Sequence, residues 1–184
     1  MAVRNVSPMQ FARLPKSQQR VQIALDVILQ IKRRRFSTNH SLKGYYLQGI
    51  VKNIEQAVEI REMFAEMAQV KCCAIGAVFV SAVSHGDTLE KADFNEYELK
   101  EKAGHKVQMI GYPVVNYLEN YFEREQLRAM EQLFESWKND EYHNFPKFAK
   151  YLDQHADNKE QRIIAIMKNL VDHHGELRDT DYGE

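Results

Sequence analysis

The sequence predicts a mainly α-helical protein, a single compact helical domain with at most a small β element. Three observations predict it. Apolar residues recur at helical spacing through most of the chain, as in Val21, Leu25, Ile28 and Ile31. Only four prolines and eight glycines occur in 184 residues, few turn signals for a β-rich fold. One run, Cys72 to Val83, carries no charge and reads as a central buried element against which the other helices lay one face. It is too short to cross a bilayer, which needs about 20 apolar residues.

Residues 1–16 read as an irregular N-terminal arm broken by Pro8 and Pro15. Ser17 caps a first helix running to about Arg34, with cations at its C-terminal end where the helix dipole favours them. Residues 37–40 form a loop. A second helical pattern covers 44–69, with Ile50, Ile54, Ala57, Phe64 and Ala68 on one face and a break near Gly49. The central run is read as a helix starting near Cys72 or Cys73 and ending before His85. Val78, Val80 and Val83 are its strand-like features. Gly76 costs a helix about 1 kcal/mol against alanine, so it is expected where another backbone comes close.

A polar helix through Leu89, Phe94 and Leu99 follows, ended by Gly104. His105 to Ile110 alternates and is the one strand candidate. Pro113 suits the first turn of the next helix, and another runs from about Glu123 to Lys138. Pro146 opens a short helix. Asp157 with Glu160 forms a capping-box pattern before the stripe Ile163, Ile166, Met167 and Leu170, which Gly175 ends. The domain thus spans 17–177, with 178–184 as an acidic, frayed tail.

The net charge is −1, unevenly placed: residues 1–36 hold eight Lys or Arg and one acid, a net +7, and the remainder is −8. Met1-Ala2-Val3-Arg4 is not followed by an apolar region of the kind a secretory leader carries. Cys72 and Cys73 are the only cysteines. Adjacent cysteines are strained as a mutual disulfide, so a reduced, cytoplasmic protein is expected.

Three pieces carry a resemblance. They are Cys73-Ala74-Ile75-Gly76-Ala77, preceded upstream by residues 44–49 (Gly-Tyr-Tyr-Leu-Gln-Gly); Tyr121-Phe122 with Gln126-Leu127 and Leu133-Phe134-Glu135; and residues 162–170 with Gly175. Together they touch about a third of the chain and resemble a set of uncharacterised small phage and bacterial proteins with a Cys-Ala-Ile/Leu-Gly-Ala core helix. The resemblance implies no activity or site residue. It implies a phage-borne protein acting on host machinery, and the helix expected over 50–69 departs from its pattern.

Candidate chemistry is sparse. Cys72 or Cys73 at a helix head with His105 as base would make a cysteine-dependent hydrolase, but no third orienting residue stands out and buried structural cysteine is the expectation. His85 with Asp87, and His173 and His174 with Glu176, lack the i, i+4 spacing of a metal pair, so no metal or other cofactor is expected. Lys32, Arg33, Arg34 and Arg35 are the basic binding candidates. Tyr45 and Tyr46 are the aromatic ones, within a group (with Tyr112, Tyr117, Tyr142 and Trp137) that cannot all be core.

The sequence therefore predicts a non-enzymatic interaction protein, a phage-borne inhibitor or regulator of anti-defence type that binds a host protein or ribonucleoprotein. It involves no membrane and allows a homodimer. The alternatives are the cysteine hydrolase and a nucleic-acid-binding regulator using the basic N-terminal segment, against which the acidic remainder argues.

Overall fold

The computed structural model describes residues 7–38, 45–52, 56–86, 88–102, 104–135 and 144–181. Five short strands form one mixed sheet: β1 (Phe36–Ser37), β2 (Leu47–Ile50), β3 (Val70–Cys72), β4 (Leu99–Lys102) and β5 (Lys106–Met109), in the order β1-β3-β2-β5-β4. β1 runs parallel to β3, and the other neighbours are antiparallel. The expectation of a helical domain with at most a small β element is therefore wrong; the fold is mixed α/β.

The reason is strand length. Each strand has two to four residues, too few for alternation to stand out against helical spacing. The helix expected over 44–69 resolves into β2 and a short α3 (Ile60–Glu66), followed at once by β3. The helix expected from Leu89 to Gly104 resolves into a single 3-10 turn (Lys91–Asp93) and β4. Gly104 and His105, at φ 76° and 58°, are the left-handed corner of the β4–β5 hairpin. His105 thus precedes the expected strand, which begins at Lys106.

The helices are α1 (Pro8–Ala12), α2 (Lys16–Lys32), α3, α4 (Ala74–His85), α5 (Tyr112–Leu118), α6 (Arg124–Glu135), α7 (Pro146–His155) and α8 (Lys159–Asp172). The central run is a helix, as expected, and every residue from Ala74 to Val83 is buried. β3 leads directly into α4, which packs against α2, α3, α5 and α6. Phe79 is the aromatic hub, edge-on to Phe64 at 5.8 Å and Tyr117 at 5.7 Å. Full burial of such a side chain contributes about 2–3 kcal/mol. A β-carbon on Gly76 would stand 2.0 Å from the Tyr46 carbonyl oxygen, so this glycine admits the close backbone that the sequence reading expected.

The described parts of the arm and tail are tied more firmly than the sequence suggests. Within the arm, Pro8–Ala12 is helical behind a Ser7–Gln10 capping box, and Phe11 is buried against His85 and Tyr121. In the expected frayed tail, Arg178 N–H donates to Asn169 Oδ1 at 2.8 Å, Asn169 Nδ2 donates back to the Arg178 carbonyl, and Asp179 caps the Phe148 N–H at 2.9 Å. The cap of α8 is Asn158, one residue past the expected Asp157.

Candidate nucleic-acid interface

Alternation along each strand sends side chains to opposite faces. Phe36, Leu47, Val70, Cys72, Leu99, Val107 and Met109 point inward and are buried. The pairing register places the outward residues together. Ser37, Lys71, Gln48, Gln108 and Lys100 form one row across all five strands. Ile50, Lys106 and Lys102 form the next row. These eight residues include four lysines and no acid. Lys100 and Lys102, two apart on one strand, start about 7 Å from each other.

The lysines hold no acid among the described residues; every ion pair there lies elsewhere. Lys100 and Lys102 instead bring their ammonium groups over the Tyr45 ring, at 5.7 and 5.9 Å from its centre. Lys100 Nζ also donates to the Tyr45 hydroxyl at 3.4 Å. At the centre of the first row Gln108 donates through Nε2 to Gln48 Oε1 at 2.9 Å. Its own Oε1 is buried without a partner. Such an orphaned acceptor costs about 1–3 kcal/mol.

The basic residues nominated from the sequence stand beside this face. Lys32, Arg33 and Arg34 are exposed. The turn from α2 into β1 is a Schellman closure, with Arg34 N–H donating to the Ile31 carbonyl and Arg35 N–H to the Gln30 carbonyl. Arg34 holds the left-handed position at φ 58°, where glycine is the usual occupant. Arg35 is spent internally, donating from Nη2 to the Phe64 carbonyl at 2.7 Å. The Arg35 carbonyl accepts from Val70 N–H, which puts the turn at the sheet end that also holds Ile50, Lys106 and Lys102. Of the other N-terminal cations, Lys16 and Arg20 lie on the body, one over the Tyr121 ring and the other paired with Glu176.

Of the nominated aromatics, Tyr45 belongs to the open face. Tyr46 is half-buried at the head of α4, and burial with Glu131 nearby raises its phenol above the ordinary value. Tyr117 is core and Tyr112 is 74% exposed. Tyr142 and Trp137 lie outside the described residues.

The cysteine dyad is not assembled. Cys72 ends β3 and Cys73 caps α4, its sulfur accepting from Gly76 N–H at 3.5 Å. Both are buried, free thiols. Burial drives the Cys72 thiol well up and pushes Cys73 up to about 12, the reverse of an activated nucleophile. Leu47 aligns Cys72 with Met109 across the sheet. His105 lies four residues before Met109, about 13 Å along the strand.

Among the described residues, no group of three or more His, Cys, Asp or Glu is placed to hold a metal ion. His173 Nδ1 is bonded to its own helix at the Asn169 carbonyl. No helix among the described residues is long and apolar enough to cross a membrane.

The sequence reading missed Lys71, Lys100, Lys102 and Lys106. The signal was present but short: Lys71 sits between Val70 and Cys72, and Lys100 and Lys102 alternate with Leu99 and Glu101. What was not visible is the register that gathers them. Comparison of the chain with protein-family models, curated proteins and solved structures finds no match.

Proposed function

We propose that this is a non-enzymatic binding protein that holds a nucleic-acid strand on the open face of its sheet. The observation that carries the reading is the outward surface of the five strands, which has four lysines and no acid in a chain of net charge −1. The outward rows of the strands carry no acid, and Glu66 stands beside them near Lys71. Lysines are point charges suited to phosphates and indifferent to base identity. A flat sheet with basic side chains and a neighbouring ring is a surface along which a single strand can lie. The Arg33–Arg34 turn extends the positive surface at the β1 edge.

A ribonucleoprotein target of a phage-borne inhibitor fits the same surface, because its RNA supplies the phosphates. The buried, unpaired thiols support a reducing compartment such as the cytoplasm.

The test is fluorescence anisotropy of a labelled twenty-nucleotide single strand titrated with the protein at several salt concentrations. Four phosphate contacts predict that log affinity falls with log salt at a slope of about −3. No binding at low salt, or a slope near zero, overturns the reading. Binding of an acidic protein in place of the oligonucleotide would reassign the face to a protein partner.

A further inference from the structure

At the β3 side of the open face, where β2 ends, the surface dips into a slot of about 450 Å³. Ile50, 61% exposed, and Ala68 give it apolar wall. Beneath it Gly49 lets Met67 pack tightly against β2; a β-carbon there would stand 2.3 Å from the Met67 sulfur. Lys52, Lys71 and Lys106 stand around it, against one acid, Glu66. Gln48 accepts through Oε1 from Gln108, and its own amide N–H groups have no acceptor among the described residues. Gln69, also on the rim, has neither donor nor acceptor engaged there.

We infer that this slot receives one unstacked nucleobase of the bound strand, which makes the protein selective for single-stranded over duplex nucleic acid. The inference rests on the open-face reading and adds a base to its phosphates. The volume falls within the usual range of about 300–1,000 Å³ for small-ligand sites. Ile50 offers the base an apolar surface of the kind a stacked ring needs. Gln48 presents its amide N–H donors and Gln69 a whole amide, so donors and an acceptor are available to the edge of a base. Three lysines around the opening meet the phosphates on either side of the inserted nucleotide. A base paired within a duplex cannot enter without being extruded, at a cost of a few kcal/mol.

The experiment compares three labelled probes of equal length: an ordinary single strand, a single strand with abasic sites throughout its central half, and a duplex. Each is titrated against the wild type and against Ile50→Ser, whose melting temperature is checked first because Ile50 is a surface residue. The ordinary strand is expected to bind wild type at least tenfold more tightly than the abasic strand or the duplex. Ile50→Ser is expected to remove most of that advantage. Equal binding of ordinary and abasic strands overturns the base slot and leaves the phosphate-binding face standing. A base-dependent advantage that survives Ile50→Ser overturns this location for the base. Absence of binding by any probe overturns the open-face reading and the slot with it.

Discussion

The two faces of the sheet are built from the same strands and carry opposite chemistry. Val70 and Cys72 point inward beneath α4, and Lys71 between them points out. Leu99 is buried, and Lys100 beside it reaches the Tyr45 ring. The inner face is apolar and continuous with α4, whose residues Ala74 to Val83 are all buried. The outer face carries Lys71, Lys100, Lys102 and Lys106, none of which holds an ion pair among the described residues. A one-residue change of register would exchange the two sets, so the apolar inner residues that stabilise the fold also fix the lysines on one surface. Stability and binding are thereby assigned to opposite sides of one short sheet.

The comparison is broken most severely from the inside. Ala77 is fully buried on α4, and Ala77→Asp would place a carboxylate there. Leaving that charge unpaired costs several kcal/mol, a large fraction of a typical domain's stability. The expected result is loss of cooperative melting by circular dichroism. An unchanged melting curve would mean that α4 is not the centre of the fold.

A smaller effect on the same side follows from the thiols. In the unfolded chain a thiol ionises near 8.5, whereas burial holds Cys73 protonated up to about 12 and Cys72 well above its ordinary value. Below about pH 8.5 both states keep their protons, and the contribution of the buried thiols is fully present. As pH rises beyond that, the unfolded chain gives up protons that the fold retains, and stability falls by about 1.4 kcal/mol per pH unit for each thiol. Urea unfolding at pH 7, 9 and 10 measures the fall. In a Cys72→Ala/Cys73→Ala variant stability at pH 7 is lower, but the alkaline slope flattens. An equally steep slope in that variant would place the titrating groups elsewhere.

The two basic regions show what the sequence could disclose. Lys32 to Arg35 are consecutive and stand out at once; in the structure they form a helix-ending turn whose last arginine is spent on the Phe64 carbonyl. The lysines of the open face are dispersed from position 71 to position 106 and meet only through register. Helices long enough to repeat their pattern were legible: α2, α6 and α8 lie close to their expected places, and Gly76 meets its backbone neighbour. Of the short strands only β5 was legible, as the alternation from His105 to Ile110; the other four were not, because a period of two needs more residues than they have. Ile50 illustrates the confusion. It fits a helical stripe with Ala57 and Phe64, yet it sits outward on β2, exposed at the rim of the slot.

The separation of stability from binding is tested most directly by reversing the outer charges alone. Lys71, Lys100 and Lys106 lie on three different strands of the open face. In a Lys71→Glu/Lys100→Glu/Lys106→Glu variant, affinity for the labelled single strand is expected to fall by roughly a hundredfold or more at moderate salt. Lys71 is exposed and Lys100 and Lys106 are half-buried; surface substitutions change stability by about 0.5 kcal/mol each, so the melting temperature is expected to stay within a few degrees of wild type. Unchanged affinity in a variant that melts normally would contradict the assignment of binding to this face, and collapse of the fold would contradict the division between the two faces.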